Sequence, residues 1–178
     1  MTMEILILRL RKLLMGYTHE RIDQEWDALY AALSPFYCAM GQRLATRRGD
    51  ICFLAEGTLL KLHKTTVTRI IKSDQLLFVP LRPKAIYFQA LTPCKLLLLP
   101  RVDLYDIIEA FPQAVRIYDS LLDLWHEQCD ERLELLELSK VDRIKRFREL
   151  HKEIYPYMVR RDIANYISVS EEYLRKNM

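Results

Sequence analysis

The chain has 178 residues, 27 Lys and Arg against 24 Asp and Glu, 51% hydrophobic residues, 29% charged residues and 4 glycines, which excludes fibrous and disordered classes and describes a soluble globular protein with room for one or two domains. No stretch approaches the roughly 20 apolar residues of a membrane span, so no membrane partner is expected. Cys38, Cys52, Cys94 and Cys129 form no CxxC pair and have no His at ligand spacing; this excludes a zinc or cluster signature, leaves no cofactor or metal to assign, and fits buried thiols in a reducing cytoplasm, a redox sensor being the alternative.

The opening "MTMEILILRLRKLLMGY" is apolar, but its positive charges follow the hydrophobic run instead of preceding it, which argues against a secretion signal. Met3, Leu6, Leu10 and Leu13 or Leu14 recur at helical spacing and leave Arg9, Arg11 and Lys12 largely outside. Thr18 then offers a cap for a second helix whose apolar series is Ile22, Trp26, Leu29 and Leu33, ended near Ser34 and Pro35 because proline disfavours helical geometry in the residue before it.

Between residues 36 and 100 the pattern changes to short runs rich in Val, Ile, Leu, Phe, Tyr and Thr, such as "ICFLAEGTLLKLHK", "TVTRIIK" and "CKLLLLP", separated by Gly or Pro turns. Short strands without a helix-length segment among them predict an antiparallel jelly roll of about eight strands. The "RGD" at residues 48–50 falls in a turn of that pattern.

The helical period restarts in "RVDLYDIIEAFPQ" and continues through a long helix over 113–138. One stripe of it runs Ile117, Leu121, Leu124, Gln128, Leu135 and Leu138; an adjacent one runs Tyr118, Leu122, Trp125, Cys129, Leu133 and Leu136. A surface helix needs one apolar stripe to cover its own domain, so two predict a second partner, most simply the same helix in another copy, with Ile117, Leu121, Leu124, Trp125, Gln128 and Leu135 as dimerisation residues. A helix wholly buried within one chain is the alternative. A shorter helix with Val141, Ile144, Phe147 and Leu150 on one side follows, broken by Pro156.

The C-terminal "RDIANYISVSEEYLRKNM" has the spacing of a helix-turn-helix, with Ile163, Ala164, Ile167, Val169, Tyr173 and Leu174 inward and Ser170 able to cap the second helix. The usual turn glycine is absent, and Ser168 stands where the chain needs φ > 0. From Lys140 onward ten Lys and Arg stand against six Asp and Glu, an excess of four in a chain whose total excess is three, so the basic character is confined to this end. That asymmetry points to a polyanion partner, with an ordinary solvated helix face as the alternative.

The helix ending "EWDALYAALSP", the strand segment "AEGTLLKLHK", the run "ALTPCKLLLLPRVDLYDIIEAFPQ", the long helix and "RRDIANYISVSEEYLRK", in that order, resemble the Crp/Fnr family of bacterial transcription regulators across nearly the whole chain. The resemblance implies an α+β fold: an antiparallel β jelly roll of the cyclic-nucleotide-binding type with flanking helices over 1–112, a dimerisation helix over 113–139 and a small all-α helix-turn-helix domain over 140–178, here without the β-hairpin wing that many members carry. Members that bind cyclic AMP use a Gly-Glu pair for the ribose and an Arg followed by a small residue for the phosphate. The matching stretch "LLFVPLRPKAIYF" has no Gly-Glu pair and places Lys84 and Ala85 where Arg and the small residue belong. Lys offers a point charge but no bidentate fork, so cyclic AMP is not the expected ligand; Arg82, Lys84 and Ala85 remain as candidates for another anion or as solvated loop residues.

By the same resemblance Ser170, Glu171, Glu172 and Lys176 fall where members commonly present a serine, an arginine, a glutamate and an arginine. Glu172 could accept from a cytosine amino group, and Arg175 or Lys176 could reach a guanine or a phosphate; Arg160 and Arg161 are candidate backbone contacts. Glu171 departs from the pattern, since a second carboxylate repels phosphates. The function implied is a homodimeric regulator of double-stranded DNA, with an unknown small-molecule effector or none; the alternative is an interaction module with a vestigial helix-turn-helix. His19, His63, His126 and His151 are scattered and no nucleophile, base or phosphate-cradling loop stands out, so an enzyme is not expected. The regulator reading requires that two copies be held together along the segment around Leu121 to Leu136 and that 161–178 protrude; a segment folded back as the interior of a lone subunit, with 161–178 packed away, would defeat it.

Overall fold

The structure, a computed structural model, describes residues 3–15, 23–82 and 85–177. Two helices, α1 (Met3–Met15) and α2 (Asp23–Ala32), precede seven strands: β1 (Ser34–Cys38), β2 (Ile51–Glu56), β3 (Leu59–His63), β4 (Thr66–Ile71), β5 (Gln75–Phe78), β6 (Ile86–Ala90) and β7 (Cys94–Leu99). Helices α3 (Arg101–Ala110), α4 (Val115–Glu137), α5 (Lys140–Leu150), α6 (Arg160–Tyr166) and α7 (Glu171–Lys176) complete the chain. The strands form two antiparallel sheets of order β1-β7-β2-β5 and β4-β3-β6, the jelly roll expected from the turn-punctuated runs. Seven strands stand among the described residues instead of about eight, because 39–50 runs as turns that touch β6 only through single bonds and one bridge, Arg43 to Gln89.

The layers explain why the strands do not alternate cleanly. The interior between the sheets is filled by Leu54, Leu59, Ile71, Leu77, Phe88 and Leu96 among others. The outer face of the first sheet, through Ile51, Phe53, Leu76, Leu97 and Leu99, packs on α1, α2, α3 and the first half of α4. A sheet covered on both faces needs apolar residues at every position, and the five residues from Ile51 to Ala55 are all buried. The outer face of the second sheet, through Leu60, Leu62, Val67 and Ile70, shares one apolar cluster with Leu135, with Met158 and with Ile144, Phe147, Ile163, Tyr166 and Leu174 of the C-terminal helices.

Several local expectations need correction. Thr18, the expected cap of α2, lies outside the described residues. Pro35 does not merely stop a helix; it sits within β1, an edge strand, where a missing N–H is tolerated. Arg9 is not simply outside: its Nη2 reaches both carboxylate oxygens of Asp74 at 2.7 Å. Helix α5 stops at Leu150, well before Pro156, which lies in a 3-10 turn over Tyr155–Tyr157.

The largest correction concerns α4. Ile117, Leu121, Leu124 and Leu135, expected to pair two copies, are 2–5% exposed and close the protomer's own clusters. Trp125 is half-buried against Phe78, with ring centroids 5.4 Å apart. Gln128 is spent on the turn between β4 and β5: its Oε1 accepts from the Leu76 N–H at 2.8 Å and its Nε2 donates to the Asp74 carbonyl at 3.2 Å. The helix rides over its own sheets with this stripe; on the adjacent one Tyr118 and Trp125 also pack inward on Phe78 and the first cluster, while Leu133 is 60% exposed.

Candidate nucleic-acid interface and ligand cavity

The turn between α6 and α7 is built without glycine. Ser168 adopts φ +54°, the left-handed conformation that follows a helix end, and the Val169 and Ser168 N–H groups return to the Ala164 and Asn165 carbonyls at 3.0 and 3.3 Å. This is the paired closure of a Schellman motif, with the serine in the position glycine usually takes. Ala164, 1% exposed, lies within the shared cluster. The Ser170 hydroxyl accepts from the Tyr173 N–H at 3.1 Å and caps α7. Leu174, 1% exposed, pins α7 into the shared cluster.

Anchoring by Leu174 turns the opposite face of α7 outward. Ser170, Glu171, Glu172, Arg175 and Lys176 are all exposed, as are Arg160 and Arg161 at the start of α6. Lys176 Nζ pairs with Glu172 Oε1 at 2.7 Å across one helical turn. That pair takes one cation away from free presentation and leaves Arg175 as the basic side chain of α7 with no ion pair among the described residues. Glu171 and Glu172 sit in the first turn, where the helix dipole favours them locally even though they repel phosphates. Arg161 Nε lies 3.5 Å from Asp162 Oδ1. The face therefore carries mixed charge. The expected protrusion of 161–178 needs correction: α6 packs against β4, and α7 is docked on the same cluster through Leu174 and Tyr173, with only its outer face open.

Two residues that spacing did not mark hold this unit in place. Arg132 of α4 donates from Nε to the Tyr166 carbonyl at 3.0 Å. Arg143 of α5 donates to three carbonyls, Leu136 at 2.6 Å, Leu138 at 2.8 Å and Ile167 at 3.3 Å. Carbonyls at helix ends lack intrahelical partners and carry partial negative charge, so arginines that reach them both satisfy and orient those ends. The only signal in the sequence was the general need of a short helix for such a partner.

Beneath them lies a buried polar junction. Lys72 Nζ pairs with Glu131 Oε2 at 3.0 Å and donates to the Leu150 carbonyl at 3.3 Å. His151, 2% exposed, has neither ring nitrogen hydrogen-bonded, although Glu131 Oε1 lies 3.5 Å from Nε2. Burial first, and the neighbouring Lys72 charge second, push its pKa down to about 3. Burial likewise pushes the Tyr166 phenol up. Arg69, 9% exposed, reaches the Gln128 carbonyl at 3.5 Å, and burial lowers its affinity for its proton. A polar cleft of about 540 Å³ opens beside Lys72, between the turns at Gly57 and Ser73 and residues 149–154.

The residues expected to hold an effector are not gathered. Arg82 and Ala85 are exposed on the loop between β5 and β6, the Ala85 carbonyl accepting from Lys64 N–H at 2.7 Å, and Lys84 lies outside the described residues. A cavity of about 340 Å³ sits instead beside that loop, bounded by Phe78, Leu81, Lys61, Arg101 and the α4 aromatics Tyr118 and Trp125. Neither Arg82 nor Ala85 lines it. Lys61, half-buried on β3 between the buried Leu60 and Leu62, carries no local sequence signal that would place it at a cavity. The three cysteines Cys38, Cys52 and Cys94 are buried, and burial raises their pKa values. No group of three or more His, Cys, Asp or Glu among the described residues could hold a metal, and no described helix is long and apolar enough to cross a membrane.

No family model matches the sequence, and no curated protein matches it either. Solved structures do match in fold. A protein from Eubacterium rectale assigned to the Crp/Fnr family of transcriptional regulators aligns with TM-score 0.66 over 91% of this chain and 85% of its own, at 10% identity. CLP, a c-di-GMP-responsive global regulator from Xanthomonas campestris, aligns with TM-score 0.63 over 86% of this chain and 88% of its own, at 14% identity. A cyclic-nucleotide-binding-domain protein from Listeria monocytogenes aligns with TM-score 0.61 over 95% of this chain and 88% of its own, at 13% identity. At these identities the likeness is one of fold: an antiparallel jelly roll of the cyclic-nucleotide-binding type with flanking helices.

Proposed function

We propose that the chain is a DNA-binding transcription regulator that acts as a homodimer, with residues 1–112 as a sensor that does not take cyclic AMP, 113–139 as the dimerisation helix and 140–178 as the DNA-binding unit. The observation that carries the reading is the orientation of α7. Leu174 is buried while Ser170, Glu171, Glu172, Arg175 and Lys176 are exposed on one capped helix, which is what insertion of a recognition helix into a major groove requires. Fold likeness to transcription regulators supports it. Arg160 and Arg161, with Lys145, Arg146 and Arg148 of α5, all exposed, supply candidate phosphate contacts.

The dimer seam we assign is the second stripe of α4. Leu122, Cys129, Leu133 and Leu136 of that stripe are not fully buried in the protomer, whereas Tyr118 and Trp125 at its start are turned onto Phe78. Two copies joined there would set their α7 helices about one turn of B-DNA apart, near 34 Å. Absence of the Gly-Glu and Arg features noted in 76–88, together with the filled interior between the sheets, supports a sensor other than one for cyclic AMP.

The test is selection of duplexes from a randomised library by the purified chain, followed by a salt titration of the best binder. A pseudo-palindromic consensus and affinity that falls steeply with salt are expected. Failure to enrich any sequence, or retention that Lys176→Glu and Arg161→Glu do not weaken, would sink the reading in favour of an interaction module.

A further inference from the structure

We propose that the outer face of α1 binds a second copy of this chain, the two α1 helices crossing antiparallel about a two-fold axis at Leu8. This contact is separate from the α4 seam assigned above and does not depend on it.

Apart from Glu4, Arg9, Arg11 and Lys12, the helix Met3–Met15 is apolar. One of its faces is spent within the protomer: Leu6, Ile7, Leu10 and Leu14 are 1–3% exposed in the first cluster. The opposite face, which a surface helix normally makes polar, carries Ile5, Leu8 and Met15 at 46, 62 and 66% exposure. A helix that is apolar on both faces belongs in an interior, and the protomer covers only one of the two.

The charges identify what covers the other. Arg9 reaches both carboxylate oxygens of Asp74 at 2.7 Å, and the Arg11 guanidinium sits 5.6 Å over the Trp26 ring, so both cations are engaged inside the protomer. Glu4 and Lys12 are exposed on the open face and have no ion pair among the described residues. They stand one helical turn before and one after Leu8, so Glu4, Leu8 and Lys12 form a single ridge at four-residue steps, with an anion at one end and a cation at the other. When two such ridges cross antiparallel with Leu8 on Leu8, each Glu4 meets Lys12 of the other copy, and two ion pairs flank an apolar centre that Ile5 widens. Parallel pairing would instead set Glu4 on Glu4 and Lys12 on Lys12.

Self-complementarity of this kind is what an isologous contact between identical chains requires. An anionic membrane surface would attract Lys12 but repel Glu4. Two single helices bury less than the roughly 1,200 Å² at which standard interfaces begin, so the association is weak and salt-sensitive.

The test is sedimentation equilibrium of the full chain between about 5 and 500 µM, both as the native sequence and as Leu133→Asp, which removes the proposed α4 seam. A roughly micromolar association step is expected in both backgrounds. Leu8→Asp should abolish it in both while leaving the thermal midpoint nearly unchanged, since Leu8 is a surface position. Lys12→Glu and Glu4→Lys should each weaken it by about tenfold, and the two exchanged together should restore it to within about threefold, a recovery that a folding defect would not show. Absence of the step from the native chain, indifference to Leu8→Asp, or a double exchange as weak as the single ones overturns the inference. So does replacement of the step by Leu8-dependent retention on phosphatidylserine vesicles, which would assign the face to a lipid surface. Either this contact or the regulator reading can fail alone, because Leu8 lies on neither α4 nor α7.

Discussion

Arg132 grips Tyr166 twice, donating from Nε to its carbonyl at 3.0 Å and placing its guanidinium 5.2 Å over its ring. With Arg143, which reaches the Leu136 and Ile167 carbonyls, this contact joins the long helix α4 to the end of α6, so the aim of α7 is set from the helix proposed to form the dimer.

Replacing Arg132 with Met keeps the stem and removes both contacts. A loss of about 1–2 kcal/mol in denaturant unfolding is expected, since a charge-assisted bond and a cation–π contact disappear together. Operator affinity should fall further than that of an equally destabilised core variant. Affinity that merely tracks stability would show that Arg132 packs without aiming.

His151 makes stability depend on acid. Its folded pKa of about 3 lies below the unfolded value of 6.5, so below pH 6.5 the unfolded chain binds a proton that the folded chain refuses. The contribution is therefore absent above pH 6.5 and destabilising as pH falls from 6.5 towards 3, with a slope approaching about 1.4 kcal/mol per pH unit. His151→Phe, flanked by Phe147 and Tyr166 at 4.6 and 5.7 Å, should flatten that slope in urea titrations between pH 4 and 6.5. An unchanged slope would assign the acid sensitivity to other groups.

Phe147 is 1% exposed in the cluster that β3 and β4 share with the C-terminal helices. Phe147→Ala should cost about 3–5 kcal/mol. Because the cluster is common to both parts, unfolding monitored by tryptophan fluorescence and by far-UV circular dichroism should remain one coincident transition. Two separate transitions would mean that the C-terminal helices fold on their own.

Leu133 is 60% exposed at the middle of the outward stripe of α4. Leu133→Asp should leave the thermal stability of the monomer nearly unchanged, as surface substitutions usually do, yet convert a dimer to a monomer in native mass spectrometry. A dimer that survives the substitution would place the interface elsewhere.

Arg175→Ala removes the α7 cation that has no ion pair among the described residues. The slope of log affinity against log salt should drop by about one if it touches a phosphate, and selectivity at one base position should relax instead if it reads a base. Lys176→Ala should do less to affinity, because its ammonium is already paired with Glu172 at 2.7 Å.

Periodicity and composition were enough for the order of elements: Leu6, Leu10 and Leu14 face inward as their spacing demands, Ser168 takes the positive φ its place in the turn requires, and Ser170 caps the helix it precedes. These are local effects, decided within a few residues by sterics and by orphaned backbone groups. Which of two equivalent stripes on α4 turns inward, by contrast, was decided by the sheets it lies on: Leu121 and Leu124 meet a core while Leu133 does not. Similarly, Arg82 stands in the stretch that matches a phosphate-binding loop, yet the fold turns it to solvent and leaves it outside the cavity beside that loop. Arg132, Arg143 and His151 acquire their roles from partners more than a dozen residues away, such as Tyr166, Ile167 and Glu131, and no local pattern encodes a contact that exists only once distant surfaces have been brought together. Local propensity wrote the elements, and burial between them chose the faces.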